Sequence, residues 1–264
     1  MSTRKSARGA WVVTGAGSGF GRELASLLAS RGHSLSLWDR DGAGLEETRS
    51  RAKGAAKIHL ATVDVTDAEA VRAAVREARA ELGTLAHVIH CAGILRVGSA
   101  VDMSHDDYRA MMEVNYLGSV HVALALVDDL RRAASPDARS NLVLVSSIAG
   151  LRAAPELAGY SATKFAVLGF AQALRDELSS TGVDVRVLCP PPGDTPMVRN
   201  LPYRPKIYDL APPVSARLVA ERALAALESD DFVLLVDARS RAYSAASRLW
   251  PRVLDFIVQR ATRT

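Results

Sequence analysis

Thr14-Gly15-Ala16-Gly17-Ser18-Gly19-Phe20-Gly21 joins an apolar run over 10–14 to an Ala- and Leu-rich stretch over 21–30 whose apolar residues recur at three and four spacing. That order is a strand, a tight turn and a helix. Glycines let the turn close and let backbone approach a pyrophosphate, whose charge is favoured by free N–H groups and by the helix dipole. Gly15, Gly17, Ser18, Gly19, Phe20 and Gly21 are therefore the candidate cradle for a dinucleotide. Eighteen residues after Gly21, at the tip of the next apolar run, stands Asp39. A carboxylate there can accept from both hydroxyls of an adenosine ribose and repels an added phosphate, so NAD is the preferred cofactor. Arg40 keeps NADP open, because a guanidinium can clamp a 2′-phosphate if Asp39 turns away. The alternative for Asp39 is a loop cap.

The same alternation continues along the chain. Strand-like runs fall at 10–14, 34–38, 58–64, 87–91, 141–146, 183–188 and 232–236, with helical patterns at 21–30, 68–82, 120–132, 160–179 and 215–228. The expected fold is α/β: a Rossmann-type, doubly wound, seven-stranded parallel sheet with helices on both faces and ligands at the carboxyl ends of its strands. Asp64 and Val65, at the end of the third run, can face an adenine, or Asp64 can cap the turn before Thr66 and Asp67. Cys91, Ala92 and Gly93 end the fourth run with small side chains that admit a nicotinamide ribose; His90 reads as structural. Residues 190–213 hold eight prolines, which excludes long regular elements, so a long loop is expected there. It begins where ligands should bind, and reads as a substrate lid with Pro190 and Thr195 on its cofactor side. The expected organisation is one nucleotide-binding domain over 1–238 with this lid, followed by a C-terminal segment, 239–264.

Apolar residues make up 48% and charged residues 23% of the 264, a globular balance, and the net charge of +4 gives no case for nucleic-acid binding. The two cysteines, Cys91 and Cys189, lie far apart in apolar surroundings and read as buried thiols of a reducing, cytoplasmic compartment. No metal site is expected. Residues 1–9 lack the apolar run of a secretory signal, and runs such as 142–145 are too short to cross a bilayer, so no span is expected.

The candidate chemistry lies in the second half. Tyr160 and Lys164, four apart at the start of a helical pattern, project from one face one turn apart. An ammonium beside a phenol favours its phenolate. Ser147 follows the fifth run, where its hydroxyl can bond a substrate oxygen gaining charge. With the glycine turn these residues resemble the short-chain dehydrogenase/reductase family, whose Tyr-x-x-x-Lys follows a serine by 13 positions, as Tyr160 follows Ser147 here. The family's Thr-Gly-x-x-x-Gly-x-Gly is matched by Thr14, Gly15, Gly19 and Gly21, and its helix asparagine by Asn115. Its Asn-Asn-Ala-Gly reads His90-Cys91-Ala92-Gly93 here, and its Pro-Gly reads Pro190-Pro191.

The resemblance implies a nicotinamide-dependent oxidoreductase interconverting alcohol and carbonyl. It gives Tyr160 the proton transfer, Lys164 the ribose and the bias on Tyr160, Ser147 the substrate oxygen, and Asn115 a helix kink and a water relay to Lys164. It also implies a homodimer or homotetramer. Segments around Asn115, Tyr160 and Pro190 resemble the 3-ketodihydrosphingosine reductase branch, which is NADPH-dependent, whereas Trp38-Asp39 and Gly44-Leu45-Glu46-Glu47-Thr48 resemble 17β-hydroxysteroid and retinol dehydrogenases. Asp39 decides between them for NAD, since like charges repel directly.

Leu95, Leu151, Ala153, Pro192, Met197, Leu201 and Tyr203 are the candidate pocket wall, and their apolar character implies a hydrophobic alcohol or ketone, which the resemblance to those branches makes lipid-, steroid- or retinoid-like. Over 239–264, arginines and large apolar residues fall on separate helical faces, which fits peripheral contact with a membrane or a packed covering helix interrupted at Pro251. A non-catalytic NAD-sensing or scaffold protein on the same fold is the competing class. Such a protein has no need of Asn115, Ser147, Tyr160 and Lys164 together.

Overall fold

A computed structural model describes residues 5–262. Its strands are β1 (Lys5–Ser6), β2 (Ala10–Thr14), β3 (Leu35–Asp39), β4 (Ile58–Thr62), β5 (Leu85–His90), β6 (Ala138–Val145), β7 (Val183–Leu188), β8 (Gly193–Asp194), β9 (Val214–Ser215) and β10 (Val233–Leu234). Seven of them form the expected sheet in the order β10-β7-β6-β5-β2-β3-β4, parallel throughout. β1, which pairs with the start of β6, and the β8 and β9 pair were not foreseen. Strand order reverses between β2 and β5, which opens the ligand crevice above their carboxyl ends.

The helices are α1 (Gly19–Ser30), α2 (Gly42–Arg51), α3 (Ala68–Leu82), α4 (His105–Met111), α5 (Gly118–Ala133), α6 (Ala158–Glu177), α7 (Pro196–Arg199), α8 (Ile207–Leu210), α9 (Ala216–Ala226), α10 (Ala238–Leu249) and α11 (Pro251–Thr262). Strand alternation divides them into two layers. Val12, Leu142 and Leu144 face Val75 of α3, Leu126 of α5 and Val167 of α6, while Val13, Leu37 and Val143 face Leu24 and Leu28 of α1 and Ala223 of α9. Capping fixes helix starts: Asp67 accepts from the N–H groups of Glu69 and Ala70, and Gly83 ends α3 at φ 78°.

Element boundaries differ from the expectation at two strand ends. The third strand ends at Thr62 and the fourth at His90, so Asp64 and Cys91 lie beyond their strands. The proline-rich stretch has no long regular element, as expected, but short ones punctuate it: β8, then α7 with Pro196 in its first turn, then α8, with irregular chain between. Pro251 interrupts the C-terminal segment as expected, α10 ending at Leu249 and α11 starting at the proline. The run His105–Ala133, continuous through a π-helical turn at Met112–Leu117, is long and apolar enough to cross a membrane by length and composition. Run lengths missed it because polar residues are interspersed. Its Val122, Ala123, Leu126 and Leu130 are sealed against the sheet, as in a core helix.

Two histidines are held neutral under the sheet. His87 stacks on Trp11 at 4.3 Å, donates from Nε2 to the Ala7 carbonyl and accepts at Nδ1 from the Asn141 amide. Burial lowers its pKa to about 4; burial and then the charge of Lys164 lower that of His90 to about 3. The unfolded chain protonates both near 6.5 while the fold does not, so stability is full above that pH and falls as pH drops toward 4. His87 alone should remove about 3 kcal/mol over that window. Urea unfolding at neutral pH and in mild acid measures the slope, and a slope left unchanged by His87→Gln would refute the assignment.

Candidate active site

The glycine turn is built by contacts that exclude side chains. A Cβ on Gly21 would lie 2.6 Å from the Gly15 carbonyl carbon, so the helix can start only this close to the turn as glycine. Arg22 and Thr48 brace the turn from α1 and α2. The Arg22 guanidinium donates to the Gly17 carbonyl and pairs with Glu47 at 2.8 Å, and Thr48 Oγ1 donates to the Ala16 carbonyl at 2.7 Å. Neither brace was read from the sequence, since both are ordinary helix residues there. Ser18 stands at the N-cap of α1 without a side-chain hydrogen bond, so the first-turn amides keep no internal acceptor. An uncapped helix start behind a glycine turn fits a pyrophosphate.

Asp39 ends β3 facing this turn. Its Oδ2 accepts from Gly17 N at 2.8 Å and its Oδ1 from Asp41 N at 3.0 Å, so its carboxylate caps the loop and lies against the glycine turn. Arg40 is exposed and makes no ion pair among the described residues. Asp64 is exposed and caps the turn by accepting from the Thr66 amide and hydroxyl, while Val65 is buried against Gly118. Thr195 is buried opposite Gly19, tying the proline-rich stretch to the glycine turn.

Beyond β5, Ala92 N donates to Thr14 Oγ1 at 3.2 Å, which fixes Ala92 and Gly93 above β2. Asn115 sits buried in the π-helical turn. Its Oδ1 accepts from Ile94 N at 2.7 Å, and its Nδ2 donates to the Ile94 carbonyl and to Thr163 Oγ1, both at 3.0 Å. The asparagine thus ties the strand end to α6.

Ser147, Tyr160 and Lys164 meet in one cleft. Ser147 caps a single 3-10 turn after β6, its Oγ accepting from Ala149 N at 3.1 Å, and its hydroxyl is close enough to Tyr160 to act on the phenol. Lys164 is buried, with Nζ 2.9 Å from the Val145 carbonyl it donates to and 5.6 Å from the centre of the Tyr160 ring. Burial pushes its pKa down to about 8, and pushes the Tyr160 phenol up, an effect that the Ser147 hydroxyl partly offsets. Burial, rather than the ammonium expected to favour the phenolate, sets the direction of the Tyr160 shift. Cys91 and Cys189 lie close enough to feel Lys164, and burial raises both thiols to about 12.

The cleft holds a cavity of about 100 Å³ and is open to solvent. Phe20, Cys91, Gly93, Leu95, Pro190, Pro192, Thr195 and Met197 line it as expected from their positions, joined by Leu157, Tyr208 and Tyr243. Ala153, Leu201 and Tyr203 do not. Ala153 is exposed, Leu201 packs beside Tyr208, and Tyr203 reaches out to Glu156; Leu151 packs on the core. Arg152 was missed although it follows Ser147 closely; it lines the cleft and pairs with Asp255 of α11 at 2.7 Å.

A family model described as short chain dehydrogenase matches residues 10–205. The chain belongs to the short-chain dehydrogenase family. This short-chain dehydrogenase is an oxidoreductase that uses a nicotinamide cofactor and acts on hydroxyl or keto groups. It is 29% identical over 262 residues to estradiol 17-beta-dehydrogenase 11 of Homo sapiens, covering 97% of this chain and 84% of that one. It is 36% identical over 248 residues to 1-deoxy-11-beta-hydroxypentalenate dehydrogenase of Streptomyces exfoliatus, covering 92% and 88%. A short chain dehydrogenase from Burkholderia cenocepacia in complex with NADP superposes with a TM-score of 0.80 at 25% identity, covering 96% of this chain and 98% of that one.

The turn sets a test of the cofactor site. Gly21→Ala should lower NADH affinity by at least about tenfold, because Cβ would force the start of α1 off Gly15. Fluorescence titration with NADH measures it.

Proposed function

We propose that this short-chain dehydrogenase interconverts a hydrophobic secondary alcohol and its ketone, of lipid-, steroid- or retinoid-like character, with NAD preferred. The observation that carries the reading is the shared cleft of Ser147, Tyr160 and Lys164, whose remaining wall is largely apolar. The names of the relatives, an estradiol dehydrogenase and a hydroxypentalenate dehydrogenase, support a hydroxyl-bearing substrate of this kind.

The bound nicotinamide supplies or accepts the hydride at the carbinol carbon. Tyr160 Oη holds the proton and passes it to or from the substrate oxygen, which Ser147 Oγ orients from the same cleft. Lys164, anchored on the Val145 carbonyl, presents its ammonium to a ribose. Asn115 keeps Ile94 and Thr163 in register beneath that lysine, and a water on its turn would complete the proton path. Pro190 and Thr195 border the cofactor, and 190–213 acts as a lid carrying Pro192 and Met197 to the substrate. The domain over 1–238 works in the cytoplasm as a dimer or tetramer, peripheral to a lipid surface through 239–264. For NAD the support is Asp39, whose carboxylate faces the turn and would meet a 2′-phosphate with like charge.

Tyr160→Phe should keep NADH binding within about twofold and remove turnover; retained turnover would overturn the assignment of the proton. Since burial holds the phenol protonated, alcohol oxidation should gain rate as pH rises from about 6 to about 9, and ketone reduction should not. Initial rates in both directions measure this. Asp39→Asn should cut the preference for NAD over NADP by about tenfold or more, read from kcat/KM with each cofactor.

A further inference from the structure

The C-terminal helices carry a surface that the cleft does not use. Leu249, Trp250, Val253, Phe256 and Ile257 stand exposed at the end of α10 and along α11, whereas Leu254 and Val258 of α11 are buried. Five large apolar side chains within nine residues form a patch, not scattered surface hydrophobes. The helices that bear it are held firmly. α11 packs on α8, Asp255 pairs with Arg152 at the cleft, and Tyr243 of α10 lines the cleft itself.

Charge indicates what covers the patch. Residues 239–264 contain six arginines and one acid, Asp255, while the whole chain is only +4, so the rest of the molecule is faintly acidic. Arg248, Arg252 and Arg260 are exposed around the apolar side chains and form no ion pair among the described residues. A second copy meeting this face with its own would bring like charges together. An anionic headgroup layer neutralises them, and its acyl boundary takes the apolar side chains.

We propose that α10 and α11 form an interfacial docking surface for an anionic lipid bilayer, with Trp250, Phe256 and their neighbours in the headgroup boundary and the arginines on the headgroups. Docked this way, the wall of the cleft formed by Tyr243 lies beside the lipid. Delivery of a lipid-soluble substrate from the bilayer rests on the reading of the cleft given above; the docking does not.

The experiment is sedimentation of the full chain with phosphatidylcholine vesicles, with and without phosphatidylglycerol, at rising salt. Trp250 is a built-in reporter, being 61% exposed while Trp11 is 5% and Trp38 0% exposed, so its emission should move to the blue on docking. Binding should require phosphatidylglycerol and weaken with salt. The triple variant Arg248→Gln, Arg252→Gln, Arg260→Gln should bind about 100-fold more weakly, at about one kcal/mol for each arginine. Trp250→Ser with Phe256→Ser should also lose binding, and both variants should keep the native circular dichroism, since every altered side chain is exposed. No binding by the native chain, binding unchanged in the variants, or self-association that Phe256→Ser abolishes without any vesicle binding would each overturn the proposal. Turnover of a soluble secondary alcohol without vesicles is read separately; its absence would strike the oxidoreductase mechanism and leave the docking result standing.

Discussion

The end of β6 and the first turns of α6 approach so closely that backbone touches backbone, and the site depends on that contact. Ser146 Oγ donates to the Lys164 carbonyl at 2.8 Å, and Lys164 Nζ returns to the Val145 carbonyl at 2.9 Å. A Cβ on Gly150 would stand 2.8 Å from the Lys164 carbonyl, so the turn between the two elements closes only as glycine. These links bring Ser147 and Tyr160, 13 residues apart in sequence, into one cleft. A buried ammonium at this joint costs stability that an apolar residue would not, which is the usual mark of a group kept for what it does.

Desolvation sets the resting state of the cleft. It holds the phenol protonated and draws the lysine toward neutrality, so both groups stand nearer their uncharged forms than in water. Charge arriving in the cleft therefore shifts proton positions more than it would at an exposed site. The Ser147 hydroxyl is the contact already biasing Tyr160 the other way.

The seven strands were legible because each is a short apolar run ended by turn residues, and parallel strands buried on both faces read as continuous hydrophobic segments. Asp39, the glycine turn and the Tyr160 and Lys164 pair were legible because their spacing itself encodes geometry. Strand ends were less so: Val63 and Val65 are buried just like strand residues, and nothing in Ile58 to Val65 marks Thr62 as the last paired one. The cleft wall was half legible. Leu95, Pro192 and Met197 reach it, but Tyr203 swings to Glu156 and Leu201 packs beneath, since side-chain direction in short irregular turns has no period to read. Tyr243 joins the cleft only through α10 folding back, and Arg152 meets Asp255 only through α11, contacts between distant segments that no local pattern records.

Cys91 and Cys189 flank the same ammonium, which in an exposed setting would favour thiolate. Here burial wins and both sulfurs stay protonated. Alkylating reagents and peroxide attack the anion, so Cys91, the sulfur that borders the cleft, is a poor target for them at neutral pH, and Cys189 is sealed in the core beneath it.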